Sequence, residues 1–123
     1  MKKVVLVADD SPSIRKFVAF ALSAKGFDII PASDGMEALE KIPACKIDLI
    51  ITDLNMPNLD GFELIKTIRN NNEYKETPII ILSSLSGSDE ISKGLECGAN
   101  SYLIKPFDPK RIIYEVSKYL NWG

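Results

Sequence analysis

The run Ile47-Asp48-Leu49-Ile50-Ile51-Thr52-Asp53, continued by Leu54-Asn55-Met56-Pro57-Asn58-Leu59-Asp60-Gly61, carries the reading of the fold. An apolar segment of strand length that closes on a carboxylate and passes into Asn, Pro and Gly predicts a buried strand delivering Asp53 to a surface rim. A second apolar run, Val4-Val5-Leu6-Val7-Ala8, ends in Asp9-Asp10. Parallel pairing would bring both strand ends to the same edge of a sheet. The carboxylates of Asp9, Asp10 and Asp53 would repel one another there unless they share a cation, and Mg2+ suits a few carboxylates, a carbonyl and retained waters.

On the N-terminal side, Ser11 and Pro12 supply an N-cap and an N1 proline, and Ile14, Phe17, Val18, Ala21 and Leu22 recur at helical spacing up to Lys25-Gly26. Phe27-Asp28-Ile29-Ile30-Pro31 predicts a short strand whose closing proline favours a sheet edge. Ser33-Asp34-Gly35 then opens a helix carrying Ala38, Leu39 and Ile42, which Pro43 stops. On the C-terminal side, a helix from about Gly61 sets Phe62, Leu64, Ile65 and Ile68 on one face and breaks at Asn70-Asn71-Asn72.

Pro78-Ile79-Ile80-Ile81-Leu82 is the strongest strand signal, with no polar face, as expected of a strand covered on both sides; it ends at Ser83-Ser84. The helix expected from Ser88 to Cys97 has only Ile91 and Leu95 as strong apolar anchors and contains Gly94, so it should be the least firmly held. Gly98-Ala99-Asn100 turns into the strand Ser101-Tyr102-Leu103-Ile104, and Lys105-Pro106-Phe107 leads to a last helix. Asp108 caps that helix, Pro109 takes N1, and Ile112, Ile113, Val116 and Leu120 form its stripe.

This alternation predicts an α/β fold with a doubly wound, five-stranded parallel sheet between helices, and ligands beyond the carboxyl ends of the strands. Asp9, Asp10, Asp53, Ser83 and Lys105 all fall at those ends, on the first, third, fourth and fifth strands. Only the second strand contributes nothing.

Bulk properties agree with one domain over residues 1–123: 46% hydrophobic and 26% charged residues suit a globular protein. A formal charge of −2 predicts no direct nucleic-acid binding and no attraction to anionic membranes. No apolar run approaches the roughly 18 residues of a membrane span, and no signal peptide precedes the first strand, so a cytoplasmic protein without membrane insertion is expected. Cys45 and Cys97 lack the paired spacing of zinc or redox motifs and read as small buried or half-buried side chains in preference to a disulfide. The chain contains no histidine, which removes Ser-His-Asp and Cys-His chemistry and any histidine phosphoacceptor.

A carboxylate is a competent nucleophile toward phosphorus. With Asp9, Asp10 and Asp53 contributing −3 and Mg2+ and Lys105 contributing +2 and +1, the resting site is neutral. Phosphorylating Asp53 adds about one negative charge, which needs donors such as Ser83 and neighbouring backbone N–H groups. Mg2+ would also neutralise charge on the transferring group, so the protein could catalyse its own phosphorylation without being a metabolic enzyme.

These motifs together resemble a response-regulator receiver domain of bacterial two-component signalling, of the stand-alone kind found in chemotaxis. They are Asp9-Asp10, Asp53 with Met56-Pro57 and Asp60-Gly61 behind it, Ser83, Tyr102, and Lys105-Pro106-Phe107; the similarity runs from Lys3 to Leu120. The resemblance implies the flavodoxin-like strand order 2-1-3-4-5 with five helices. It also implies Asp53 as phosphoacceptor and Mg2+ held by Asp10, Asp53 and the backbone carbonyl of Asn55, with Asp9 acting mostly through water. Lys105 would pair with the phosphoryl oxygens, next to a cis Lys105-Pro106 bond. Ser83 would shift toward the phosphoryl group and Tyr102 would swing inward behind it, altering the face of the fourth helix, fifth strand and fifth helix. Leu85, two residues after Ser83, is less expected, because a polar side chain there can guide water for dephosphorylation.

Each residue also has a plainer role: an acidic pair can be a solvated cap, Lys105 a surface lysine, Ser83 a strand-end hydroxyl and Tyr102 a half-buried strand aromatic. Lys110, Arg111 and Lys118 read as a solvated face, with a partner surface as the sharper alternative, and Trp122 as either packed or exposed. Joint placement on one rim favours the site.

The implied phosphodonor is a sensor histidine kinase or a histidine phosphotransfer protein, or a small phosphodonor. The output partner is unknown, with the flagellar motor, a phosphorelay protein and a kinase as candidates. Since the chain stops soon after its fifth helix, output is expected through a non-covalent partner unless the chain is a fragment. The alternatives are a constitutive interaction module with this fold and a phosphorelay intermediate. A flavin carrier lacks its phosphate loop, since Asp9-Asp10-Ser11-Pro12 stands in that place.

Overall fold

Strands and helices alternate along the computed structural model, which describes residues 2–120 and leaves Trp122 outside them. The strands are β1 (Val4–Ala8), β2 (Asp28–Ala32), β3 (Leu49–Thr52), β4 (Ile79–Ser83) and β5 (Ser101–Ile104). The helices are α1 (Pro12–Ser23), α2 (Gly35–Ala44), α3 (Gly61–Arg69), α4 (Ser88–Cys97) and α5 (Pro109–Tyr119). Every pairing is parallel, in the order β2-β1-β3-β4-β5, which is the doubly wound, flavodoxin-like sheet.

Alternating side chains on the central strands explain why these runs are apolar throughout. Val5 and Val7 of β1, Leu49 and Ile51 of β3, and Ile80 and Leu82 of β4 pack with α1 and α5 through Val18, Leu22, Ile112 and Val116. Leu6, Ile50, Ile79 and Ile81 face the other way and meet α2 and α3 through Ala38, Ile42, Leu64, Ile65 and Ile68. A sheet covered on both faces has no use for a polar alternation. Register then sets the rim. Ala8 lies opposite Thr52, and Ser83 opposite Ile104, so the residues that follow leave the sheet side by side.

Helix starts follow the sequence. Ser11, Asp34, Asp60 and Asp108 each accept a hydrogen bond from the backbone N–H three residues on, capping α1, α2, α3 and α5. Pro31 lies inside β2, tolerated because β2 is an edge strand. The cysteines are free and half-buried.

Three expectations shift. Pro43 sits within the last turn of α2 instead of ending it, and the helix closes one residue later with Cys45 N donating to Lys41 O at 3.0 Å. Phe17 is 39% exposed, its ring edge-on to Phe107 with centroids 5.6 Å apart, so it is a surface partner of the loop after β5 and not core. Leu95 is 43% exposed and anchors nothing. The buried residue of α4 is Gly94, where a Cβ would stand 2.6 Å from Ile81 Cδ1 and 3.4 Å from the Tyr102 ring. With Gly87 giving no side-chain cap, α4 buries little and rests on close approach.

At the opposite end of the sheet Arg69 ties two loops together, the one before β4 and the one before β5. Its Nε donates to Gly98 O at 2.9 Å, Nη1 to Thr77 O at 2.7 Å, and Nη2 to Asn100 Oδ1 at 3.0 Å; Asn100 Oδ1 also accepts from Ile79 N at 2.9 Å. Charge-assisted bonds to half-buried carbonyls are costly to lose. Arg69→Met is expected to destabilise the fold by about 2–3 kcal/mol in urea unfolding, and Arg69→Lys to recover little of it, since an ammonium cannot span the fork.

Candidate functional site

Parallel register brings Asp9, Asp10 and Asp53 to one rim. One carboxylate oxygen from each lies within 4.8 Å of the others. Asp53 is held by its own backbone N–H, which donates to Ala8 O at 2.9 Å, and its Oδ1 accepts from Leu54 N at 2.7 Å. Asp9 is pinned more fully: Oδ1 accepts from Ser11 N at 2.9 Å, and Oδ2 from Lys105 Nζ, also at 2.9 Å. Lys105 reaches Asp53 Oδ2 at 3.3 Å as well, bridging β1 and β3 from the end of β5. The Lys105-Pro106 peptide is cis.

Charge at the rim is unbalanced. Burial pushes the Asp53 carboxyl above its ordinary range, Lys105 pulls it back, and Asp9 pushes it up again. Burial lowers Lys105, but hydrogen bonding and Coulombic attraction from Asp9 and Asp53 more than offset this and leave the ammonium above its ordinary value. Three carboxylates against one ammonium leave two negative charges over, and the donors are all hard oxygens. That set fits a small divalent cation such as Mg2+ in charge and chemistry.

Ser83 and Tyr102 stand behind this rim and meet through one residue. Ser83 is buried, and its Oγ accepts from Leu85 N at 3.1 Å; the half-buried Tyr102 donates its hydroxyl to Leu85 O at 2.6 Å. Asn55 lies exposed in the loop after β3. Sequence reasoning missed Arg15, whose Nη1 donates to Asp9 O at 2.6 Å, and Asn58, whose Nδ2 donates to Asp34 Oδ2 at 2.6 Å. Neither pairing leaves a periodic trace, although Pro57-Asn58 signals a turn.

The family model of the response regulator receiver domain matches residues 5–117. The chain belongs to that family. Chemotaxis protein CheY1 of Helicobacter pylori is 40% identical to this receiver over 108 residues, which cover 86% of this chain and 87% of CheY1. Protein PilG of Pseudomonas aeruginosa is 38% identical over 116 residues, 94% of this chain and 86% of PilG. The solved structure of the chemotaxis response regulator CheY4 of Vibrio cholerae matches with a TM-score of 0.92 at 38% identity, covering 98% of this chain and 100% of that one. Receiver domains are signalling modules of two-component systems and not metabolic enzymes, they interact with histidine kinases and downstream effectors, and they bind Mg2+ in an acidic pocket. Among the described residues, no helix of this receiver is long and apolar enough to cross a membrane.

The receiver's loop after Asp53 depends on one close approach. A Cβ on Gly61 would stand 2.2 Å from Asp53 O and 2.8 Å from Leu54 Cα, both backbone atoms. Gly61→Ala is therefore expected to lower stability by about 1–3 kcal/mol and to shift the Asp53 amide, read by thermal denaturation and by NMR.

Proposed function

We propose that Asp53 accepts a phosphoryl group, in a Mg2+-dependent reaction, from a histidine kinase, a histidine phosphotransfer protein or a small phosphodonor. The modified receiver then presents a changed α4-β5-α5 face to an output protein. The observation that carries this reading is the Lys105 ammonium held between Asp9 and Asp53 where three carboxylates converge. A carboxylate oxygen of Asp53 forms the bond to phosphorus as the donor's P–N or P–O bond breaks, and the leaving group keeps the electron pair. Bound Mg2+ supplies charge neutralisation for the transferring group. Asp10 and Asp53, with the Asn55 carbonyl, are the direct ligands in this reading. Asp9 acts at one remove in this reading, mostly through a bound water, and keeps its bonds from Ser11 N and Lys105 Nζ.

Lys105 then trades part of its contact with Asp53 for the phosphoryl oxygens, and the Ser83 hydroxyl donates to the added charge. Turning Ser83 releases the Leu85 N–H, and the Leu85 carbonyl is the Tyr102 acceptor, so a change at Ser83 is transmitted to Tyr102 and the face beside α4. Operation in the cytoplasm, with a kinase as donor, follows from this role.

Incubation with Mg2+ and acetyl phosphate is expected to add one phosphoryl group by intact mass, and Asp53→Asn to abolish the addition; unmodified parent protein would refute the assignment. Leu85 offers no side-chain hydrogen bond to an attacking water. Leu85→Glu is expected to hasten dephosphorylation several-fold, measured by phosphate release from the preloaded protein.

A further inference from the structure

Asn58 has a left-handed backbone, with φ at 68°, and is the sole non-glycine of that kind among the described residues. It lies in a loop closed by Gly61 N donating to Leu54 O at 2.9 Å, and inside that loop Leu59 N reaches back to Pro57 O at 2.7 Å. A hydrogen bond spanning two residues across a positive φ is the rare and strained form of the γ-turn. Asparagine tolerates this region better than most residues, yet such a turn persists only when its surroundings hold it.

Burial does not hold it, since Asn58 is exposed. Two contacts with the start of α2 do. Asn58 Nδ2 donates to Asp34 Oδ2 at 2.6 Å, while Asp34 Oδ1 accepts from Glu37 N at 2.8 Å as the cap of α2. Beside it Gly35 lets the loop lie flush on the helix, because a Cβ there would stand 2.4 Å from Leu59 O. The strained turn is thus clamped to a helix terminus, three residues after Asn55 and five after Asp53.

We propose that Asn58 is a positioning residue for the cation: its bond to Asp34 holds the turn that follows Asn55, whose carbonyl would join Asp10 and Asp53 in holding a divalent cation. This rests on the phosphoacceptor reading above. The loop is fixed at Leu54 and Gly61, so relaxation of the Asn58 dihedrals has few residues over which to spread and rotates the peptide planes between Asn55 and Pro57. Outer partners of metal ligands act in this way, by holding a donor in place before the metal arrives.

The test compares the parent with Asn58→Gly and Asn58→Ala. Both changes are neutral and leave the Coulombic field at the metal as it was. Glycine accepts the left-handed φ without strain and so isolates loss of the Asp34 bond. Titration with Mg2+, followed by amide NMR, is expected to show a dissociation constant raised about tenfold in both variants. Hydrogen exchange at the Leu59 amide should quicken in the metal-free variants. A merely structural role would move the thermal midpoint of the metal-free protein and leave Mg2+ affinity of the folded protein alone. Variants that bind Mg2+ as tightly as a Mg2+-binding parent overturn the inference by itself. A parent that takes up no Mg2+ overturns it together with the phosphoacceptor reading.

Discussion

One ammonium shared by two carboxylates from neighbouring strands governs this molecule. Lys105 lies 2.9 Å from Asp9 and 3.3 Å from Asp53, with side-chain exposures of 17%, 2% and 11% respectively. At such depth the effective dielectric is well below that of water, so attraction and repulsion both gain strength. The arrangement exists only because the strands run parallel, with β1 and β3 ending in register at Ala8 and Thr52 and β5 passing that row at Tyr102 to bring Lys105 back over the two acids; any strand reversed, or slipped by one residue, would carry its charge to the far edge or the other face. Asp10 adds a further carboxylate at the exposed lip. The result is a rim left with excess negative charge by its topology, with a donor set that fits a divalent cation.

Such a rim is a local loss of stability, and the rest of the fold compensates. Leu6, Ile50, Ile79, Ile80 and Ile81 are wholly buried, and the residues on each face of these strands meet separate pairs of helices. The platform is therefore stiff where the acids are attached. Compliance is concentrated elsewhere, in α4, whose cap is a glycine and whose buried residue is a glycine. Tyr102 leans on Gly94 of that helix and hydrogen-bonds the loop that leads into it. A perturbation arriving at Ser83 thus meets the least anchored helix first, which is where a change of surface costs least.

Much of this was legible in the chain because it depends on period and punctuation. The apolar runs, the caps at Ser11 and Asp108 and the acids at strand ends are local patterns, and β1, α4 and β5 fall where those patterns place them. The failures share a cause. Leu95 and Phe17 match helical spacing, but whether a residue in a stripe is covered depends on the width of its neighbour, and α4 and α1 overhang theirs. Pro43 was read as a stop, yet a proline in the final turn removes only one hydrogen bond and the helix can close around it. Arg69, Arg15 and the Asn58–Asp34 bond join residues distant in sequence or tie side chains to backbone carbonyls, and pairings of that kind have no periodic signature.

The absence of histidine from the chain is consistent with the chemistry the rim can perform. A serine or cysteine nucleophile needs a base to take its proton, and that need is what imposes a histidine partner. An ionised carboxylate has no proton to give up. Burial works against ionisation of Asp53 and leaves its carboxyl above the ordinary range, while Lys105 works for ionisation and lessens the rise. The remaining demands of phosphoryl transfer are alignment and neutralisation of charge, because little covalent work falls to the protein. In the proposed reading, alignment would come from the sheet, and neutralisation from Lys105 and a divalent cation. A site that asks for nothing else can be built from aspartates, a lysine and a hydroxyl at the ends of parallel strands.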